Sequence, residues 1–263
     1  MLYLEVGVDG MRYWIISKTD EISNDVSRRV KELAMGVLDE KNPEVVFSIG
    51  GDGTVLDVIE RYQSMINQIL IVSIHTGNLG FYTEFLPNEL DEMFKLLKEE
   101  KSYVNYYLLE YEVNDIKGYA LNEITMSGIG RMLKAEVYID HTYLMHTRGN
   151  GICVSTPTGS TAYNKALGGA ILDNKLKAIQ LNLIAPFETA GNKVIYPVVL
   201  SDAHEFVIKP DEKHIDLSFD RRFISLENVS SIKVRLSQVC VKFLKNEKHD
   251  FAHRIHKTFI ARN

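Results

Sequence analysis

Gly50-Gly51-Asp52-Gly53-Thr54 joins an apolar run to a helical pattern. The run, Val45-Val46-Phe47-Ser48-Ile49, reads as a buried strand, and Val55, Leu56, Val58, Ile59 and Tyr62 fall on one helix face. A strand-to-helix turn presents backbone N–H groups at the positive end of a helix, and glycine lets a phosphate come close to that backbone. An aspartate in such a cradle suggests a base or a magnesium ligand in phosphoryl transfer. Gly-rich turns that bind nothing are also common. The run is not a Walker A loop, because no Gly-Lys-Ser/Thr follows, and its glycine spacing is not that of a dinucleotide fingerprint.

Three other places carry polar chemistry. Thr156-Pro157-Thr158-Gly159-Ser160-Thr161-Ala162-Tyr163 follows an apolar run, Ile152–Ser155. Ser160 or Thr161 can cap a helix there. The hydroxyls of Thr156, Thr158, Ser160 and Thr161 together exceed what one cap needs, which favours ligand contact. Asn122-Glu123 is a polar pair between β-runs at Ala120 and Ile124, which a bulge or an edge would also explain. Arg148-Gly149-Asn150-Gly151 is a second Gly-rich turn and reads by itself as a hairpin or loop. The histidines are scattered, with no metal-ligand spacing and no local Ser/His/Asp set. Asp57 and Glu60 read as the solvent face of their helix.

The elements that must position these residues change character along the chain. Trp14–Ile16, Val45–Ile49 and Ile69–Ile74 read as strands. They alternate with helix faces at Ile22, Val26, Val30 and Leu33, after Thr54, and at Leu90, Met93, Phe94 and Leu97. Such alternation implies a parallel sheet, whose ligands sit beyond the carboxyl ends of the strands. Asp52 lies at one such end and His75-Thr76-Gly77-Asn78-Leu79-Gly80 at the next. After about residue 101 short β-rich runs take over: Val104–Val113, Ala135–Ile139, Tyr143–Thr147, Ile152–Ser155, Val194–Leu200, Glu205–Ile208, Ile215–Phe219, Ile232–Leu236 and Val239–Leu244. Their spacing suggests a β-sandwich with one helix near Thr161–Leu167.

The expected fold is therefore α+β with two domains. Residues 1–101 would form a Rossmann-like α/β domain with a parallel sheet, and residues 102–250 a β-sandwich. Residues 251–263 would form a tail packing back on the protein, docked or frayed, although Phe251–Ile260 can also make a short helix with a basic face. Met1–Gly10 alternates weakly, as in an edge strand, and Met11 would make a natural domain start, so the first ten residues read as an extension or as an artefact of the chosen start site.

Composition narrows the classes of function. The 263 residues are 45% apolar and carry a formal charge of −5, with no broad basic footprint for nucleic acid. No apolar run approaches a membrane span, and no basic region precedes an apolar core as in a secretory leader. The two cysteines, Cys153 and Cys240, fit neither a metal spacing nor a disulfide framework. A cytoplasmic protein with no membrane partner is expected.

Together these pieces resemble the NAD kinase family, which phosphorylates the 2′-hydroxyl of the adenosine ribose of NAD. Four blocks carry the resemblance, from about Met11 onward: Gly50–Thr54, Gly77-Asn78-Leu79-Gly80-Phe81, Asn122-Glu123, and Thr156 through Gly169. The first is shared with phosphofructokinases and diacylglycerol-type lipid kinases. The second lacks the Asn-Asp-Phe/Leu-Ala pattern of those lipid kinases. The Thr-Pro-Thr-Gly-Ser-Thr-Ala-Tyr block is the most specific, and the chain looks most like the compact Firmicutes-type enzymes.

The resemblance implies an α/β domain and a β-sandwich with NAD between them, ATP or another donor, and Mg²⁺ or another divalent cation. It also implies a homodimer or homotetramer in which a neighbouring subunit can complete the pocket. By position, Asp52 would be the base for the ribose hydroxyl, with Gly53 beside it and Phe81 walling the pocket. Asn122 and Glu123 would hold the ribose and adenine region. Thr158, Thr161, Ala162 and Tyr163, followed by Asn164, Lys165 and Ala166, would line the NAD pocket, with Ala185 at its border. Arg148 and Asn150 would belong to the nicotinamide end. No residue is assigned as a metal ligand.

Three departures stand out. Asn150 replaces the family's usual Asp, keeping hydrogen-bonding capacity but losing the charge. Phe187-Glu188-Thr189-Ala190-Gly191 replaces an Asn-rich stretch with a nearby Arg. Arg221, after Asp220, stands where close relatives often have His. Two alternatives follow: another kinase of the superfamily acting on a sugar phosphate or lipid, or a non-catalytic NAD(P)-binding regulator.

Overall fold

A computed structural model of the chain describes residues 10–77, 80–99, 102–189, 193–248 and 250–261. The expectations for residues 1–9, for Asn78 and Leu79, and for Ala190 and Gly191 lie outside the described residues. Two compact units divide the chain. One takes residues up to Tyr106 and again from Cys240; the other is Tyr107–Val239.

The first unit begins with β1 (Arg12–Ser17), α1 (Glu21–Leu33), β2 (Val37–Leu38), β3 (Val45–Gly50) and α2 (Asp52–Arg61). A 3₁₀ turn at Gln63–Gln68 then leads to β4 (Leu70–His75) and α3 (Leu90–Glu99). The sheet runs β2-β1-β3-β4 with every pair parallel. Both β3 and β4 are buried at every position, as strands covered on two faces must be, and their apolar runs reflect it. The helices cover the faces with apolar stripes: Val26 and Val30 of α1, Val55, Val58 and Ile59 of α2, and Leu90, Met93, Phe94 and Leu97 of α3. Asp20 caps α1, its carboxylate accepting the amide of Ser23 at 2.9 Å.

The second unit is built of antiparallel ladders. The chain enters it within β5 (Tyr103–Val113) and continues through β6 (Ile116–Ala120), β7 (Glu123–Gly128), β8 (Leu133–Ile139), β9 (Thr142–Gly149) and β10 (Gly151–Ser155). A 3₁₀ turn at Thr158–Thr161 and one turn of helix, α4 (Tyr163–Ala166), precede β11 (Ala178–Ile184), β12 (Val198–Ser201), β13 (Glu205–Pro210), β14 (His214–Phe219) and β15 (Arg222–Glu227). The chain leaves the unit within β16 (Ile232–Leu244), and α5 (Phe251–Phe259) follows in the first unit.

One sheet of the second unit is ordered β12-β11-β10-β7-β14-β15 and the other contains β16-β13-β8-β9, with β5 and β6 attached through β16. The core takes Ile124, Met126, Val154, Leu181 and Leu217 from the first and Val137, Phe206, Ile208 and Val234 from the second. That is sandwich packing of two inner faces. Two-residue turns at Asn114, Asp140 and Asp220 place a short polar side chain at positive φ, which Asn and Asp tolerate.

The α+β class, the parallel first sheet and the sandwich agree with the sequence reading. Three details differ. The strand expected over Val194–Leu200 is confined to Val198–Ser201, because Pro197 has no N–H for the ladder. Ile232–Leu236 and Val239–Leu244 are one strand; no glycine or proline interrupts it, and Ser237 Oγ accepts the amide of Val239 within it. The expected helix near Thr161–Leu167 is a 3₁₀ turn followed by a single α turn. The observed units also divide differently from the residue 101 and 250 boundaries, since the segment from Cys240 joins the first unit, where Lys242 and Phe243 pair in parallel with Leu70 and Ile71 of β4.

Candidate active site

In the first unit the carboxyl ends of β1, β3 and β4 converge on the Gly50–Thr54 turn. The amide of Lys18 donates to Ile49 O and that of Thr76 to Gly50 O. Asp52 opens α2, where its charge complements the helix dipole. Its carboxylate is held from across the turn: Oδ2 accepts the amide of Phe81 at 2.8 Å and Oδ1 that of Tyr82 at 3.0 Å. Burial raises the Asp52 carboxyl above the ordinary range, while these two amides, Arg254 and His75 pull against it. Gly80 lies against this carboxylate, and a Cβ there would overlap Asp52 Oδ1.

His75 ends β4 opposite Gly50 in register. Its Nδ1 lies 3.1 Å from Gly77 O. A carbonyl only accepts, so Nδ1 carries the hydrogen and Nε2 is an acceptor. Nε2 is buried with no partner among the described residues, and burial lowers the pKa of the ring.

In the second unit Asn122, Glu123 and the Thr156–Tyr163 loop come together around Asp220. Asp220 accepts the amides of Leu121 at 2.9 Å and Asn122 at 2.7 Å, and its own amide donates to Glu123 O at 3.1 Å. Thr156 closes the other side: its amide donates to Asn122 O, and its hydroxyl to Leu121 O at 2.6 Å. Gly159 packs so close to the Asn122 carbonyl that a Cβ would overlap it. Glu123 is buried, and one of its oxygens, Oε2, has no partner among the described residues. Burial first, then the charge of Asp220, pushes its carboxyl up to about 8.

The Arg148–Gly151 turn joins a different neighbourhood of the same unit. The amide of Asn150 donates to Ile184 O at 2.8 Å and that of Phe187 to Arg148 O at 2.7 Å. The Arg148 guanidinium lies 5.6 Å from the Phe187 ring centroid. Arg148, Asn150 and Ala185 are all exposed there, Ala185 at positive φ.

Models for the ATP-NAD kinase N-terminal domain and the ATP-NAD kinase C-terminal domain match residues 16–102 and 121–244. A curated relative, the NAD kinase of Staphylococcus aureus strain JH9, is 38% identical across 95% of this chain and 98% of its own length. The chain belongs to the NAD kinase family. Among solved structures of that family, an NAD kinase from Archaeoglobus fulgidus in complex with ATP superposes with a TM-score of 0.76 at 25% identity, covering 90% of this chain and 95% of its own. Yeast NADH kinase complexed with NADH shares the fold, with a TM-score of 0.83 at 19% identity over 97% of this chain and 89% of its own.

Within this NAD kinase family member, the sequence-expected residues fall into three settings, of which the Arg148–Gly151 turn with Ala185 is one. Asp52 and Phe81 lie together in the first unit, joined by the Phe81 amide. Asn122, Glu123, Thr158, Thr161, Ala162 and Tyr163 gather around the Asp220 turn. In that loop Thr158 and Thr161 are buried, whereas Tyr163, Lys165 and Ala166 are exposed. Asn164 is fully buried and its Oδ1 accepts from Asn182 Nδ2 at 3.2 Å, so its side chain braces the loop from within.

Sequence reasoning gave no role to Asp220, Glu84 or Arg254. The signal for Arg254 was present. Phe251, Arg254, Ile255 and Phe259 share one face of α5, so an arginine stands at a core position of an apolar stripe.

Proposed function

We propose that the chain transfers the terminal phosphoryl group of ATP to the 2′-hydroxyl of the adenosine ribose of NAD, giving NADP and ADP. The observation that carries the reading is the carboxylate of Asp52, held by two backbone amides at the N-terminus of α2 within a Gly-rich turn. In this mechanism the ribose oxygen attacks the γ-phosphorus, the bond from that phosphorus to the bridging oxygen of ADP breaks, and Asp52 accepts the hydroxyl proton. Burial raises the basicity of Asp52 for that task, and its amides keep it aimed. Gly53 stands beside Asp52, and the positive end of α2 favours the phosphate charge.

Asn122 and Glu123 hold the ribose and adenine region, and Thr158, Thr161, Ala162 and Tyr163 line the NAD pocket. Arg148, Asn150 and Ala185 serve the nicotinamide end. Asn164, Lys165 and Ala166 follow Tyr163 along the NAD pocket.

Among the described residues no three His, Cys, Asp or Glu gather as metal ligands. These residues do not form a metal cage, so Mg²⁺ would arrive on the triphosphate oxygens, as it does in many phosphoryl-transfer sites. No described helix is long and apolar enough to cross a membrane. We place the enzyme in the cytoplasm as a homodimer or homotetramer.

The test is an endpoint assay of purified protein with NAD, ATP and Mg²⁺, read by an NADP-specific dehydrogenase. Signal requiring every addition is expected. Asp52→Asn should cut it by roughly 10²- to 10⁴-fold with the circular dichroism unchanged. Full activity in that variant would overturn the role of Asp52, and absence of NADP in the wild type would overturn the reading itself.

A further inference from the structure

The amides that hold Asp52 belong to a loop, residues 80–85, that is itself held on two sides. On one side it is tied to β4. Ser73 Oγ donates to Tyr82 O at 2.6 Å, and Ser73 O accepts the amides of Glu84 and Phe85 at 3.1 and 3.0 Å. On the other side stands α5. Arg254 Nη1 donates to Gly80 O at 2.9 Å, Thr83 O at 2.6 Å and, at 3.4 Å, Phe81 O. Its Nη2 lies 2.8 Å from Glu84 Oε2, and both side chains are withdrawn from solvent, 2% and 0% exposed. The Phe259 ring, also on α5, lies 5.5 Å from that of Phe81. Glu84 is anchored in turn by Lys245 Nζ at 3.0 Å and the amide of Asn246 at 3.2 Å.

A buried arginine whose donors go to several carbonyls of one loop fixes the orientation of those peptide planes. The carbonyl of Phe81 belongs to the peptide whose N–H is that of Tyr82, and the carbonyl of Gly80 to the peptide whose N–H is that of Phe81. Arg254 therefore grips, from the carbonyl side, the two peptides that grip Asp52 from the amide side. Each peptide is planar, so a rotation that loses one contact loses the other.

We propose that Arg254 is a positioning residue for Asp52, acting through the 80–83 peptides with Glu84 as its counter-charge. The proposal rests on the kinase reading for its kinetic consequence, but the clamp is readable in the free protein. Two variants, Arg254→Ala and Arg254→Lys, are compared with the wild type. Amide hydrogen exchange at residues 80–83 should quicken in both, while β3 and β4 keep their protection. In the NADP assay Arg254→Ala should lose roughly 10- to 100-fold in kcat, as expected when a catalytic group is misplaced by about an ångström. The KM for NAD should change less than about threefold. The acid limb of kcat/KM should move to higher pH, because a positive charge beside Asp52 is lost.

Arg254→Lys keeps a charge for Glu84 but cannot serve the carbonyls together, so it should recover stability more than kcat. It also stands in for the alanine variant if that one does not fold. Unchanged exchange at residues 80–83, or a lowered melting temperature with kcat and the acid limb untouched, overturns the proposal. If the wild type makes no NADP, the kinase reading fails, and the exchange data alone decide whether the clamp exists.

Discussion

Asp52 and Glu123 are both carboxyls raised by burial, yet their surroundings differ. Asp52 faces two amide donors and a guanidinium that stabilise its charge. Glu123 has an amide from Tyr163 but lies beside another acid, Asp220. Glu123 therefore carries its proton through much of the neutral range, and the sign of its effect on stability follows. Its folded pKa of about 8 stands above the ordinary 4.5, so the folded state binds more protons between those values. The stabilisation is complete below about 4.5 and is lost as pH rises through about 8. The melting temperature of the ligand-free protein should fall across that window. Glu123→Gln should flatten the decline, since a neutral amide has no proton to lose; Asp220, also raised by burial, would retain part of the slope. Differential scanning fluorimetry from pH 5 to 8.5 measures it, and identical slopes in the two proteins would rule the Glu123 account out.

Among elements, α5 and the 80–85 loop are coupled by buried hydrogen bonds and one ion pair. Asp250 starts the helix by accepting the amide of His253 at 2.7 Å, which sets the phase that turns Arg254 inward. The interior then contains Glu84 with Arg254 and Lys245 around it. Such a cluster contributes modestly while intact, but removing one member leaves charge stranded out of water. Glu84→Ala should cost about 3–5 kcal/mol, read by urea denaturation. A cost below about 1 kcal/mol would mean that water reaches Arg254 and replaces its partner. The same logic explains why the loop carries a glycine at residue 80: Asp52 is fixed so close that no side chain fits beside it.

At the scale of the whole molecule, local signals were legible and distant pairings were not. Strands β3 and β4 could be read because burial on both faces leaves an unbroken apolar run. The Gly50–Thr54 turn could be read because its chemistry is contained in five neighbouring residues. Asp220 escaped because its partners, Leu121 and Asn122, are 99 and 98 positions away. The continuity of β16 escaped because its burial alternation slips at Leu236 and Ser237, which makes one strand resemble two. Arg254 meets Gly80 across a separation of 174 residues, and no pattern within α5 announces which loop it grips. That separation also has a meaning in time. A ribosome adding about 5–20 residues each second needs roughly 10–35 s to travel from the loop to its clamp. Through most of that interval the first unit has its glycine turn and its aspartate but neither β16 nor α5, and α5 is complete only after it ends. Nascent chains stalled before residue 254 should accordingly be open to protease at residues 80–83, and those released beyond it closed, so that phosphoryl transfer begins only after synthesis has passed that point.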